Sequence, residues 1–188
     1  MSRAYRIRIS ESLRRHIKVD DGIQSKLEIL AILPPEQTAA LLERELEAAG
    51  FEKRDDGQWA RVDEDGVEVR VDPQTATVTV SAQAESELDI ERERVITAWA
   101  ENDANTRERG REALEQELEG EADAHREDLQ ASVTEALEAK LGDLRRELDQ
   151  LSNRVTATAL KQKAASMGEI QEISEDPESG SLTIRVKI

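Results

Sequence analysis

Tyr5, Ile7 and Ile9 alternate with Arg6, Arg8 and Ser10, the period of two expected of a strand with one buried face. Asp20-Asp21-Gly22 has a turn composition, and the apolar stretch at residues 23–33 ends at Pro34-Pro35, so the opening reads as a hairpin or meander. Pro35 suits the first turn of a helix. Leu41, Leu42 and Leu46 then share one face, and Gly50 caps the C-terminus, which predicts a helix over roughly residues 35–49. From Phe51 the period returns to two. Asp56-Gly57 and Asp65-Gly66 separate Trp59 to Val62 from Val67, Val69 and Val71, and residues 76–80 follow Asp72-Pro73. These Asp-Gly pairs are hairpin signals and make residues 51–81 a β-meander.

Beyond residue 82 the composition turns to Glu, Ala, Leu and Arg, with no proline up to residue 166, which predicts helix from about residue 85. Leu137, Leu141, Leu144, Leu148, Leu151 and Val155 are spaced alternately by four and three, a heptad seam that needs a covering surface. Two arrangements supply it. If the helix reverses near residues 120–123, Leu88 meets Val155, Val95 meets Leu148, Trp99 meets Leu144 and Leu114 meets Leu129, although Asn102, Thr106 and Gly110 thin the packing. Alternatively one long helix pairs with a second protomer, and the chain is a homo-oligomer. At the C-terminus, residues 169–174 and 182–188 flank Asp176-Pro177-Glu178-Ser179-Gly180 and alternate as a ribbon. An isolated ribbon is marginal in water, so it is expected to join the N-terminal sheet, which favours the hairpin.

The resulting expectation is an α+β fold: an antiparallel β-sheet with one packed helix and an inserted long antiparallel helical coiled-coil hairpin. Residues 1–84 form the α+β sheet domain, residues 85–166 the helical coiled-coil arm, and residues 167–188 a C-terminal β-hairpin completing the sheet domain.

Charge sets the function classes. The 188 residues carry 42 acidic and 26 basic side chains, a net of −16, and aromatics make up 2%. Such a chain repels phosphate backbones and has few stacking platforms, so nucleic acid is not an expected partner. No apolar run reaches the ~20 residues of a membrane span, so no membrane partner is expected and the chain reads as cytoplasmic. Charge is uneven, however. Residues 1–18 hold a net of +5, and residues 85–150 a net of −12. Arg6, Arg8, Arg14 and Arg15 are therefore candidate partner-binding residues, although the same strip can pair with the chain's own carboxylates. The acidic segment can dock a basic partner or simply stay solvated.

Catalytic chemistry is sparse. Without cysteine there is no thiolate zinc site, iron–sulfur cluster or cysteine nucleophile. Glu121, His125 and Asp128 would share one face of a helix and are the best metal candidate, but their spacing misses the Glu-x-x-His pattern and no second His joins them. They read as a solvated polar tip. His16 lies among cations. Asp63-Glu64-Asp65-Gly66 resembles the start of a calcium loop, yet Val67 to Val71 places apolar and basic residues where ligands belong, so it is a hairpin turn. No nucleotide cradle or nucleophile elbow occurs. No enzyme activity, cofactor or metal is expected.

The opening Met-Ser-Arg-Ala-Tyr-Arg-Ile-Arg-Ile-Ser-Glu-Ser, the Ile-Leu-Pro-Pro-Glu entry to the Leu-rich helix closing on Gly50-Phe51, and the ending Gly-Glu-Ile-Gln-Glu-Ile-Ser-Glu-Asp with Leu-Thr-Ile-Arg-Val-Lys-Ile together resemble a bacterial accessory family encoded beside FtsH-type AAA+ ATPases in ternary systems. The resemblance covers both ends and implies a non-enzymatic adaptor or scaffold whose partners are other proteins, a AAA+ ATPase among them. The competing expectation is a self-assembling structural coiled coil built on Leu137 to Val155.

Overall fold

The computed structural model describes residues 5–98, 104–176 and 181–187. Trp99, Asn102, residues 177–180 and Ile188 lie outside the described residues. The elements in chain order are β1 (Tyr5–Lys26), α1 (Pro35–Ala48), β2 (Glu52–Lys53), β3 (Trp59–Val62), β4 (Glu68–Asp72), β5 (Thr77–Ala98), α2 (Ala104–Met167), β6 (Glu169–Asp176) and β7 (Ser181–Lys187). A five-stranded sheet runs in the order β1-β5-β4-β3-β2, and β6 and β7 form a separate two-stranded sheet. The chain divides into two compact units, residues 1–21 with 83–135 and residues 22–82 with 136–188, so β1, β5 and α2 each contribute to both.

The second unit contains the parts with strong local signals. Pro35 opens α1, and Phe51 N–H donates to Leu46 O while Gly50 N–H donates to Glu47 O, both at 3.0 Å, with Gly50 at φ 82°. This is the double bond of a Schellman cap, completed by the apolar Leu46 and Phe51. The Asp-Gly segments turn β2 into β3 and β3 into β4, where Trp59 faces Val71 and Val62 faces Glu68. Asp72 organises the β4–β5 turn by accepting from Gln74 N–H at 2.9 Å and from Thr75 Oγ1 at 2.7 Å. The Thr75 hydroxyl, more than the backbone donors, holds the Asp72 carboxyl below the usual range. The interior is aliphatic: Leu42, Leu46, Val67, Val69, Val71, Val78, Leu151 and Val155 are fully buried.

Arg61 on β3 ties this unit together. It donates to both Glu147 carboxylate oxygens on α2 at 2.7 and 2.8 Å and to Ala49 O, a carbonyl at the α1 terminus, at 3.0 Å. Its guanidinium also lies 4.7 Å from the Phe51 ring centroid. Arg154–Glu45 at 2.7 Å and Lys140–Asp65 at 2.5 Å add ion pairs from α2 to α1 and to the β3–β4 turn.

In the first unit, β1 and β5 form a long ribbon. Their direction follows from the ion pairs Arg8–Glu93 at 2.7 Å, Arg14–Asp89 at 2.5 Å and His16–Glu85 at 3.2 Å, in which partners on β5 descend as β1 ascends. The strands are antiparallel. Odd residues of β1 and even residues of β5 face α2, whose buried Gly110, Leu114, Leu118 and Ala122 recur every fourth position. Gly110 fits where a Cβ would come 2.6 Å from Ile9 Cδ1 and 3.2 Å from Ile96 Cδ1, so helix and ribbon approach closely.

Several expectations are corrected. Asp20-Asp21-Gly22 makes no turn, because β1 continues through it to Lys26. At Gly22 the backbones of β1 and β5 crowd together, and a Cβ there would lie 2.9 Å from Val80 O; the glycine permits close approach rather than reversal. Residues 85–98 are strand, not helix. Leu88 and Val95, assigned to a facing helix, belong to β5, and α2 runs unbroken through residues 120–123. Among the described residues these segments form no coiled-coil hairpin. The C-terminal ribbon does not complete the large sheet: among the described residues β6 and β7 pair with each other. Glu169 opposes Lys187, and Arg185 reaches Glu172 at 3.1 Å, so the ribbon's charges are complementary within itself.

The seam residues Leu137, Leu144, Leu148, Leu151 and Val155 are buried within the single chain, with Leu141 half-buried. The single long helix matches one half of the oligomer reading, but the surface that covers the seam belongs to the same chain.

Candidate functional site

The cationic strip predicted near the N-terminus lies on β1 and divides between its two faces. Arg6, Arg8, Arg14, His16 and Lys18 occupy even positions on the face away from α2, beside Glu85, Glu87, Asp89, Glu91 and Glu93 of β5. This open face has a basic column next to an acidic one. Arg8 and Arg14 are engaged there by Glu93 and Asp89, in pairs well exposed to water. Each such pair contributes about 0–1 kcal/mol, so these contacts align the ribbon more than they stabilise it. Arg6 is exposed on the same face.

Arg15 points the other way and donates to Glu119 Oε1 on α2 at 2.8 Å. Further contacts flank it: Arg111 meets Glu11 at 3.3 Å, Thr134 Oγ1 donates to Asp21 Oδ2 at 2.7 Å, and on the β5 side Arg92 clamps Glu121 through two bonds of 2.9 and 2.6 Å while Arg94 pairs with Glu117. The four candidate arginines therefore do not converge. Arg6, Arg8 and Arg14 share the open face, and Arg15 is part of the polar layer between β1 and α2.

His125 is not at a solvated tip. It is half-buried on α2, with Nε2 3.0 Å from Ser86 Oγ on β5. Glu121, its proposed companion, is held by Arg92. Among the described residues no group of three His, Asp or Glu side chains could hold a metal ion. Asp63 to Gly66 forms the β3–β4 hairpin turn, closed by Gly66 N–H to Asp63 O at 2.9 Å.

Two recesses on the described surface bear on the site. The larger, about 430 Å³, is lined by Arg54, Asp55, Asp56, Gln58, Glu68 and Arg70, and Glu68 pairs with Arg70 at 2.8 Å and Arg54 at 4.0 Å. The smaller, about 200 Å³, is lined by four consecutive β1 residues, Arg15, His16, Ile17 and Lys18, together with Ala122, Asp123 and Arg126 of α2. Consecutive strand residues point to opposite faces, so a recess touching all four lies along a strand edge. β5 occupies one edge of β1 and contributes nothing to this lining. The recess therefore runs along the outer edge, the feature that reading the sequence alone missed.

The fold and surface define a mixed α/β protein with a large antiparallel sheet and one very long helix, and one of the two outermost strands, β1, is cationic and has no strand paired to its outer edge among the described residues. Within that class, the family model for FtsH ternary system domain X5 matches residues 1–188, and the chain belongs to that family. It is an accessory family encoded with FtsH-type systems. No curated protein and no solved structure matches the chain. Among the described residues no helix is long and apolar enough to cross a membrane.

Proposed function

We propose that the chain is a non-enzymatic adaptor of its FtsH ternary system, working in the cytoplasm by binding other proteins, the AAA+ ATPase of the system among them. The observation that carries this reading is the family match over the whole length. The chemistry of the surface supports it. Asp72 and Glu147, whose carboxyls are held below the ordinary range, are engaged by a turn hydroxyl and by the Arg61 ion pair, which are structural partners. Burial of Leu137 to Val155 within one chain weighs against self-assembly through that seam.

The test is capture of the FtsH-type ATPase encoded in the same system by the purified full-length chain, read by size-exclusion chromatography and by ATPase rate. A complex that weakens as salt shortens the screening length below about 8 Å is expected, because the charged surfaces of β1, β5 and α2 are the contacts. Failure to associate, together with an unchanged ATPase rate, contradicts the adaptor reading.

A further inference from the structure

We infer that the outer edge of β1 takes up an acidic, extended segment of a partner protein as an added strand, with one of its carboxylates seated at the rim of the recess between β1 and α2. The inference rests on the adaptor reading and gives it a binding mode and a partner chemistry.

Three observations lead to it. β1 is 22 residues long and stands at the end of the sheet, so it presents a row of backbone donors and acceptors that no strand among the described residues pairs. Such an edge is a template for strand addition. Natural edges are usually short, bulged or covered. This one is long and is braced on one face by α2 through Arg15–Glu119, Arg111–Glu11 and the buried Leu114, Leu118 and Ala122. A braced strand loses little further conformational freedom when a neighbour is added.

Charge selects the occupant. Of the five cations between Arg6 and Lys18, Arg8, Arg14 and Arg15 are engaged by Glu93, Asp89 and Glu119, and Arg6 and Lys18 add exposed positive charge at either end of the row. Pairing with β1 of a second copy would bring two such cationic strands side by side, which like-charge repulsion opposes. An acidic strand instead alternates its carboxylates beside Arg6, Arg8, Arg14 and Lys18 on the open face. The recess adjoins that row: Lys18 lines it from the open face and Arg126 from α2, so the carboxylate beside Lys18 is the one at its rim, while Arg15 is bridged to Glu119 and Asp123 sets the limit of the site. A single-stranded nucleic acid also carries negative charge, but it has no peptide groups to match the strand edge.

The probe is a fluorescein-labelled peptide of about 12 residues alternating Glu and Val, which spans roughly 40 Å when extended. Controls are the Lys-Val peptide, a Glu-Val peptide interrupted by proline at every third position, and an oligothymidylate of similar length. Full-length protein is expected to bind the Glu-Val peptide in fluorescence anisotropy and to show slowed amide hydrogen exchange within residues 6–18. The double substitution Lys18→Glu and Arg126→Glu is expected to weaken binding roughly tenfold or more with an unchanged circular dichroism spectrum. The inference is overturned by absence of Glu-Val binding, by binding without protection of residues 6–18, or by equal binding of the proline-interrupted peptide, which would signify charge attraction without strand pairing. Equal binding of the oligothymidylate overturns it in favour of a nucleic-acid surface. If the doubly substituted protein folds yet keeps full peptide affinity, the recess is not the seat and the inference fails. ATPase capture is read separately, so a bound ATPase with an unprotected β1 refutes strand addition and leaves the adaptor reading standing.

Discussion

Replacing Leu151 by alanine is expected to lower unfolding stability by about 2–5 kcal/mol, with a denaturation midpoint that does not depend on protein concentration. Leu151 is fully buried beside Val155, and Val69, Val71, Val78 and Val80 of the sheet and the α1 leucines of the same unit are buried with it. Truncation removes the transfer free energy of the deleted atoms and leaves a cavity that the close-packed interior fills only in part. Independence from concentration is the sharper part of the expectation. A seam completed by a second protomer would raise the midpoint with each increase in protein, in the mutant and the parent alike. Urea unfolding at two concentrations a hundredfold apart separates the two.

The second large effect is expected at Arg61. Arg61→Ala removes both bonds to Glu147, the bond to Ala49 O and the packing on Phe51, and strands a half-buried carboxylate; a loss of about 2–4 kcal/mol follows, below the range for fully buried pairs because both partners keep some exposure. The pH dependence has a definite sign. Arg61's hydrogen bond, outweighing partial burial, holds the Glu147 carboxyl below the ordinary glutamate value of 4.5. A carboxyl with a depressed folded-state pKa binds its proton more tightly in the unfolded chain. Its stabilisation is therefore complete above 4.5 and is lost as pH falls through the folded-state value. Arg61→Ala should flatten this part of the profile. Urea midpoints measured from pH 7 down to pH 3 check it; an equally steep acid limb in the variant would show that Glu147 is not responsible.

The elements that could be read from sequence were those announced by residues with one physical role. Pro35 and Gly50 bracket α1 because a missing N–H is tolerated at one end and positive φ is needed at the other. The Asp-Gly pairs mark the β2–β3 and β3–β4 turns for the same reason. β5 was obscured by its composition. Its Glu, Ala and Leu residues favour helix, yet Val78, Val80, Ala82, Ala84, Ser86, Leu88 and Ile90 alternate with polar neighbours at a period of two, and burial of one sheet face outweighed propensity. Leu137 to Val155 correctly marked an apolar helical stripe, but spacing along a helix cannot distinguish a sheet from another helix as its cover. Gly22 carried a turn signal that tertiary crowding against Val80 put to another use.

The site was legible to a similar degree. The basic strip stood out in the sequence, and so did its capacity to pair with the chain's own carboxylates. Which carboxylates did not, because Glu93, Asp89 and Glu85 become neighbours of Arg8, Arg14 and His16 only once residues 85–98 are strand. The outer-edge recess was further out of reach, since it exists only where residues 15–18 of β1 meet residues 122–126 of α2.

The outer edge of β1 and the binding mode built on it require α2 to lie unbroken along a β1–β5 ribbon, and one distance decides that. The chain lacks cysteine, so Glu108→Cys with Glu135→Cys allows a spin-label pair to be placed on two exposed helix positions in the first unit. In an unbroken helix these positions are separated by roughly 40 Å at 1.5 Å per residue. A helix that reverses near residues 120–123 would set them side by side on packed neighbours, at under roughly 20 Å including the label arms. Pulsed electron–electron resonance is expected to return the long distance as a single narrow population; a dominant short distance would contradict the ribbon, the open edge of β1 and the binding mode built on it.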